Sequence, residues 1–267
     1  MNAQNKILEI TPRNEVLLDN FCSDDLSVLD EFVGHGLNDL KNAVLMDRVD
    51  TKYVIPIAQL QPILKKLLPH YSALEIDNKR IFTYHNTYFD TEHLDFYHAH
   101  HQGKLNRYKV RHRQYVDSEQ GFLEVKFKNN KGRTIKSRIK SSACIKGESQ
   151  QAFLKSSLKG KYPELKSAQW GSYERIALAN EACGERLTLD LNLTFQSVDT
   201  SGFVSFPQFF IAELKQGEHN LNSPFAKEMS RLGIRATKFS KYCMGCALVS
   251  PSLKQNRFKP LKTMINK

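Results

Sequence analysis

Basic side chains alternate with other residues along three consecutive segments between Arg107 and Lys140. Residues 107–113 carry Arg or Lys at every second position, and residues 122–128 and 134–140 continue the pattern. Because side chains on a β-strand point to opposite faces in turn, each segment is predicted to be a strand with one charged face. Cations crowded on one face of a sheet repel each other. The spacing therefore indicates a surface that meets something anionic.

Other segments share this arrangement of one polar face and one apolar face. Arg186, Thr188, Asp190, Asn192 and Thr194 alternate with leucines, and shorter alternations run over residues 48–52 and 213–215. One such strand is usually an amphipathic strand with its charges in water. Repetition over many strands predicts a sheet closed on itself, with charges inside and apolar residues outside under helices. The predicted fold class is α+β, with a closed antiparallel β-barrel that forms a tunnel.

Composition sets the class of partner but not its identity. The chain has 267 residues and a formal net charge of +11, which favours nucleic acid, an anionic membrane surface or phosphate compounds as the partner. No apolar run reaches the ~20 residues of a membrane-spanning helix, and no secretory signal is recognisable at the start, so we expect a cytoplasmic protein. The five cysteines are odd in number and mostly far apart, which predicts reduced thiols, and Cys243 and Cys246 are expected to be buried thiols in an apolar helix.

The elements that must position the charged strands are helices between and after them. Capping residues and apolar spacing predict a short helix over residues 23–33 and further helices over 57–68, 147–159, 222–232 and 243–249. His98, His100 and His101 are predicted to lie in a polar loop, where the absence of neighbouring acidic or cysteine ligands argues against a metal site. The predicted organisation is a helical extension over 1–40, a tunnel domain over 41–250 and a basic tail over 251–267.

An ordered series of short motifs carries a resemblance that no single motif carries alone. The series resembles the VTC domain, the polyphosphate polymerase domain of the vacuolar transporter chaperone, within the CYTH or triphosphate tunnel metalloenzyme superfamily. Its members here are Arg48-Val-Asp-Thr-Lys-Tyr, Tyr88-Phe-Asp-Thr, Arg111-His-Arg, Glu124-Val-Lys, Lys136-Ser-Arg, Tyr173-Glu-Arg-Ile-Ala, Arg186 with Asp190, Glu213-Leu-Lys and Lys238-Phe-Ser-Lys-Tyr. The wider superfamily has Glu-x-Glu-x-Lys in its first strand, so the Arg48 and Asp50 found here favour the polymerase-like branch over a triphosphatase.

The resemblance implies a reaction and a set of site residues. The implied reaction moves the terminal phosphoryl group of ATP to a growing polyphosphate chain. The implied phosphate ligands are basic residues together with two neutral donors: Lys52, Arg111, Arg113, Lys126, Lys136, Arg138, Arg175, Arg186, Lys238 and Lys241, with Tyr173 and Ser240. Glu213 would hold Mn²⁺ or Mg²⁺, assisted by Glu124 or Asp50, although an ion pair with Lys215 is the alternative for Glu213.

Other positions and other functions stay open at this point. Arg107, Lys109, Lys128 and Lys140 are expected at the rim rather than in the tunnel. A triphosphate hydrolase of the same superfamily and a non-catalytic polyphosphate-binding module are the alternatives. Nucleic acid is not expected as a partner, because aromatic residues do not interleave with the basic face. Coupling to a membrane would need a separate partner, and the oligomeric state is not readable.

Overall fold

The fold is known from a computed structural model that describes residues 23–41, 43, 49–142, 145–198, 202–218, 220 and 222–265. Arg48 of the first motif therefore lies outside the described residues. The same is true of Cys22 and Cys144, and of residues 1–22 of the predicted N-terminal extension.

Strands are the most abundant regular structure in the described chain. In chain order they are β1 (Val33–His35), β2 (Val49–Pro56), β3 (Ser72–Leu74), β4 (Ile81–Asp90), β5 (Arg107–Tyr115), β6 (Gln120–Lys128), β7 (Thr134–Lys140), β8 (Lys166–Asn180), β9 (Glu185–Ser197), β10 (Phe203–Phe206) and β11 (Phe209–Gln216). The three cationic segments predicted from their alternation are β5, β6 and β7.

These strands form one mixed sheet with an antiparallel main path. Its order is β2, β11, β9, β8, β4, β5, β6 and β7, with β1 and β3 paired in parallel beside β8, and β10 beside β9. No backbone ladder joins β2 to β7 within the described residues. The prediction of an α+β fold with an antiparallel sheet is confirmed, whereas closure into a barrel by hydrogen bonds is not.

Six α-helices accompany the sheet in the described residues. They are α1 (Leu60–Leu67), α2 (Asp95–His101), α3 (Glu148–Ser157), α4 (Pro224–Arg231), α5 (Lys241–Val249) and α6 (Lys259–Ile265), and a 3₁₀ helix covers Ser23–Glu31. The hydroxyls of Ser223 and Ser240 cap α4 and α5 by accepting hydrogen bonds from the third residue along the chain. The predicted polar loop over His98–His101 is wrong, because these residues form the last part of α2.

Apolar residues form two cores that hold the sheet in place. One lies under α1 and α4, where Ile63 and Leu64 of α1 pack with Leu189 and Phe225. The apolar spacing of α1 buries Leu60, Ile63, Leu64 and Leu67 on one face, as expected of an amphipathic helix. The other core contains residues of α2, α3 and α5, which fixes α5 against the sheet.

The alternation predicted for β9 stops at Asn192. Leu187 and Leu189 pack in the core under α1 and α4, but Leu193 and Phe195 belong to the core that contains α5. Asn192 has a left-handed backbone with φ of 49°, and the pairing of β8 with β9 shifts register at the same level. Such a bulge inserts an unpaired residue and reverses which face the following side chains use. The prediction of one uninterrupted polar face through Thr194 is therefore wrong.

Two further sequence expectations concern cysteines and membrane spans. Cys183, Cys243 and Cys246 are unpaired, and the last two are buried in α5 as predicted. Among the helices of the described residues, none combines the length and the apolar character needed to cross a membrane.

Candidate active site

A cavity of about 120 Å³ opens on the concave side of the sheet, and its lining is mostly cationic. Strands from both halves of the sheet contribute to it, so the sheet curves enough to bring β2 and β11 near β5 and β6. The lining residues are Lys52, Tyr88, Lys109, Arg111, Glu124, Lys126, Arg175, Glu213, Ser240, Lys241 and Tyr242. The lining contains six basic and two acidic residues, so its formal charge is +4.

On β5 and β6 a buried carboxylate holds two of the basic groups. Glu124 has no exposed side-chain surface, accepts a hydrogen bond from Arg111 Nε at 2.7 Å and pairs with Lys136 of β7. Burial acts to raise the pKa of Glu124, but the charges of Arg111, Arg113 and Lys136 outweigh it and hold that pKa well below its usual value. Glu124 therefore stays ionised and fixes the Arg111 guanidinium at the cavity wall.

A second buried carboxylate, on β9, likewise holds two basic groups in place. Asp190, 1% exposed, accepts two hydrogen bonds from Arg175, at 2.6 and 2.9 Å, and pairs with Lys241 at the start of α5. This fork-to-carboxylate geometry restricts the guanidinium to one plane. The pKa of Asp190 is also lowered, since Arg175 and Lys241 outweigh the effect of burial. Arg175 and Lys241 both remain in the cavity lining.

Glu213 of β11 connects two lysines at the cavity wall. Its carboxylate oxygens lie 3.3 Å from Lys52 Nζ and 3.0 Å from Lys215 Nζ. Lys52 faces Glu213 directly across the β2–β11 pair. The two lysines overcome the effect of burial and hold the pKa of Glu213 well below its usual value. The ion pair considered from the sequence is present, and it includes Lys52 as well as Lys215.

Aromatic rings lie among the arginines next to the cavity. Tyr84 and Tyr173 stack with centroids 5.3 Å apart, and Arg175 lies over both rings. Arg113 Nη2 donates a hydrogen bond of 2.8 Å to the Tyr173 hydroxyl. Burial would raise the pKa of Tyr173, yet the charges of Arg113 and Arg175 lower it overall. The rings thus fix the planes of the guanidinium groups, and each cation–π contact contributes about 0.5–2 kcal/mol.

Three lysines lie side by side across β5, β6 and β7. In the strand register Lys126 is opposite Lys109 on one side and Lys136 on the other. Within the described residues Lys126 has no hydrogen-bond or ion-pair partner, and Lys109 donates to a neutral hydroxyl, Ser240 Oγ, at 2.9 Å. Burial and neighbouring cations lower the pKa of both Lys109, to about 8, and Lys126. Directly opposed like charges destabilise a sheet, and an anion bound beside this row would offset the repulsion.

The structure brings most of the predicted site residues together. Eight of them line the cavity: Lys52, Arg111, Glu124, Lys126, Arg175, Glu213, Ser240 and Lys241. Arg113, Lys136 and Tyr173 lie directly behind the lining and bond to it or to one another.

Four other predicted site residues are also absent from the cavity lining. Asp50 and Lys238 are exposed, and Arg138 lies over the ring of Phe122 at 4.8 Å. Arg186 is opposite Lys215 in the register of β9 and β11, and its buried Nε has no hydrogen-bond partner among the residues that the structure describes.

The position predicted for Lys109 is wrong, and two tyrosines of the cavity lining were not predicted as site residues. Lys109 was expected at the rim but lines the cavity, as do Tyr88 and Tyr242, whose rings stack 5.2 Å apart. The alternation that selected Arg111 and Arg113 also includes Lys109, so the signal was available. Arg107, Lys128 and Lys140 are absent from the lining.

The carboxylates at the cavity are the groups that could bind a divalent cation. The described residues contain no group of three His, Cys, Asp or Glu side chains suited to a metal ion. At phosphoryl-transfer sites, however, Mg²⁺ is held by one or two carboxylates together with substrate phosphates. Glu213 supplies such a carboxylate at the cavity wall with 17% of its side chain exposed. The donor set fits an ion that enters with the substrate, and not one held by protein alone.

Comparison with solved structures identified proteins with a similar course of the chain. A proposed adenylate cyclase of Bacillus halodurans is 13% identical, with a TM-score of 0.48, and the match covers 73% of this chain and 94% of that one. A proposed adenylyl cyclase of Hippeastrum that has a dominant triphosphatase activity is 14% identical, with a TM-score of 0.47 and coverage of 76% and 96%. A proposed adenylate cyclase of Vibrio parahaemolyticus is 14% identical, with a TM-score of 0.44 and coverage of 75% and 98%.

The sequence was also compared with curated proteins and with protein families. The search of curated proteins found no match. The VTC domain matches residues 47–250, which include the whole cavity lining and every predicted site residue. The chain therefore belongs to the VTC domain family.

Proposed function

We propose that this protein is a polyphosphate polymerase, which transfers the terminal phosphoryl group of ATP to a growing polyphosphate chain in the cavity. The observation that carries the proposal is the row of Lys109, Lys126 and Lys136, three adjacent cations of which only Lys136 pairs with a carboxylate. A chain of linked phosphates bears roughly one negative charge per unit and matches such a row. Membership of the VTC domain family supports the same substrate class.

The arginines would act as fixed ligands for phosphate oxygens. Glu124 and Asp190 hold Arg111 and Arg175, so these two guanidinium groups need not reorganise when charge develops on the transferred phosphoryl group. Lysines add compact charges that can follow the chain as it moves. Further proposed phosphate ligands are Lys52, Arg113, Arg138, Arg186, Lys238 and Lys241, with Tyr173 and Ser240 as neutral donors.

The proposed chemistry needs no general base from the protein. A terminal oxygen of the polyphosphate chain attacks the γ-phosphorus of ATP, and the bond from that phosphorus to the β,γ-bridging oxygen breaks. ADP leaves with the bonding electrons, and the chain gains one phosphate. Because a terminal phosphate loses its second proton near pH ~6, the attacking oxygen is mostly deprotonated at neutral pH.

The three carboxylates at the site are poorly suited to act as the base in a hydrolysis. Attack by water would be assisted by a base, and a good base has a pKa near the working pH. The pKa values of Glu124, Asp190 and Glu213 are all lowered, because each carboxylate is paired with two cations. These carboxylates are therefore poor proton acceptors. When the nucleophile is a deprotonated phosphate rather than water, no proton acceptor is needed.

A divalent ion is part of the proposal. Glu213 would hold Mn²⁺ or Mg²⁺, with Glu124 or Asp50 assisting, and the ion would neutralise charge on the β- and γ-phosphates. The ion pairs of Glu213 with Lys52 and Lys215 keep its carboxylate ionised, and the incoming ion would compete with these two lysines for it.

Incubation of the purified protein with ATP and Mn²⁺, followed by sizing of the products and quantification of ADP, tests this function. We expect chains of increasing length and one ADP for each phosphate added. The Lys126→Gln variant should lose synthesis, whereas Lys131→Gln, at an exposed turn, should keep it. Release of orthophosphate alone would indicate a hydrolase, and binding without turnover a binding module; either result would overturn the proposal.

A further inference from the structure

The C-terminal segment, residues 251–265, is attached to the protein through α2. Tyr97 donates a hydrogen bond of 2.9 Å to the carbonyl of Lys254, and Arg257 Nη1 donates one of 3.1 Å to the carbonyl of His101. Phe258 is buried and its ring lies 5.6 Å from that of His101. The segment thus has a defined position, although it lies beyond the residues matched by the VTC domain.

Cations dominate this segment and surround a groove. Residues 251–267 include five basic residues and no acidic one. An open groove of about 630 Å³ lies along the segment, and its charged lining residues are Lys254, Lys259 and Lys262. Its other lining residues are uncharged: Pro251, Leu253, Gln255, Asn256 and Thr263. We refer to this feature as the basic groove.

Basic residues of the cavity and of the C-terminal segment both lie near the end of α2, where Arg257 bonds to the carbonyl of His101. His100 is at this end of the helix, with its Nδ1 buried and without a partner in the described residues. Its pKa is lowered to about 2, by burial first and then by the charges of Lys109, Arg107, Arg257 and Lys52. Lys109 and Lys52 line the cavity, whereas Arg257 belongs to the C-terminal segment, so charges from both regions act on His100.

We propose that the basic groove binds the part of a linear polyphosphate chain that extends beyond the cavity. This inference rests on the proposed function and adds the path of the chain outside the site. A flexible polyanion can contact cavity and groove together, and a second contact on the same chain raises its effective concentration at the first. Single-stranded nucleic acid is disfavoured because the groove lining contains no aromatic residue on which bases could stack.

The test compares binding of two probes, tripolyphosphate and a long linear polyphosphate, without nucleotide. The test variant is the triple substitution Lys254→Gln, Lys259→Gln and Lys262→Gln. The control variant, Lys65→Gln, Lys66→Gln and Lys227→Gln, removes the same charge from exposed positions on α1 and α4. Affinities are measured at several salt concentrations, and tripolyphosphate binding reports whether the cavity is intact.

For the test variant we expect about tenfold weaker binding of long polyphosphate, unchanged binding of tripolyphosphate and a salt slope smaller by about 2. The control variant should bind both probes as the unchanged protein does. Equal loss for both probes, no loss for either, or the same loss in the control would overturn the proposal. The proposal would also be overturned if the test variant lost binding to phosphatidylserine vesicles but kept its affinity for polyphosphate, since the groove would then be a membrane-binding surface. Because these are binding measurements, failure of ATP-dependent synthesis would be recognised separately.

Discussion

Lys109 is expected to make phosphate binding sensitive to alkaline pH. Burial lowers its pKa to about 8 in the protein without substrate, and Lys52 and Arg107 act in the same direction. A bound triphosphate places negative charge beside the amine and raises that pKa again. Binding above pH 8 must therefore be accompanied by uptake of a proton at Lys109.

The size of the effect follows from linkage. Well below pH 8 Lys109 is protonated in both the free and the bound protein, so it contributes no pH dependence there. Above pH 8 the free protein loses the proton and the complex keeps it, so affinity falls by up to about tenfold for each pH unit. At pH 8 Lys109 should account for about half a proton taken up on binding.

Calorimetric titration with tripolyphosphate, in two buffers of different ionisation enthalpy, measures this uptake. The matched variant is Lys109→Arg, since the guanidinium stays protonated at every pH used. Proton uptake by Lys126 and Lys241, whose pKa values are also lowered, occurs in both proteins and cancels in the difference. Identical uptake and identical pH profiles for the two proteins would refute the position assigned to Lys109.

Three further substitutions separate binding, metal use and stability. Glu213→Gln should lower metal-dependent synthesis about 100-fold or more but leave metal-free tripolyphosphate binding unchanged or tighter, because it removes a negative charge; equal losses in both assays would contradict this. Arg111→Gln leaves the buried Glu124 without its arginine and should lower the free energy of unfolding in urea by about 3–5 kcal/mol. Adding Glu124→Gln to Arg111→Gln should recover much of that loss. If Arg111→Gln alone lowered the free energy of unfolding by no more than the loss of a surface ion pair does, the interpretation of a buried pair would be refuted. Tyr71→Phe removes a hydrogen-bond donor to the buried Glu185, so it should lower the free energy of unfolding by about 1–3 kcal/mol and leave synthesis unchanged. A variant that lost synthesis but kept its full stability would contradict this structural role.

The strands and their charged faces could be predicted because strand periodicity is local. Arg111, Lys126 and Lys136 were placed on one surface by counting every second residue, and this surface is where the structure has them. The error over Lys109 has a different origin: a strand pattern gives the face of a side chain but not the distance along the strand at which a cavity ends. The left-handed Asn192 was unreadable for a similar reason, since alternation in the sequence continues through the bulge.

Pairing between charges could not be predicted from single strands. Glu124 was assigned as an assisting metal ligand, but its complete burial and its ion pairs with Arg111 and Lys136 were not foreseen. Which cation meets which carboxylate depends on the register between strands, which sequence alternation does not give. The helix over His98–His101 was missed because its polar composition hides two buried aromatic residues, Phe96 and Tyr97.

The structure of the protein with tripolyphosphate and Mn²⁺ tests most directly whether the basic residues form a site for linked phosphates. We predict phosphate oxygens in contact with Lys126, Arg111 and Arg175 inside the cavity, with the ion bound to Glu213. Phosphates bound only to the outer surface, with the lysine row unchanged and in contact with water alone, would contradict the account.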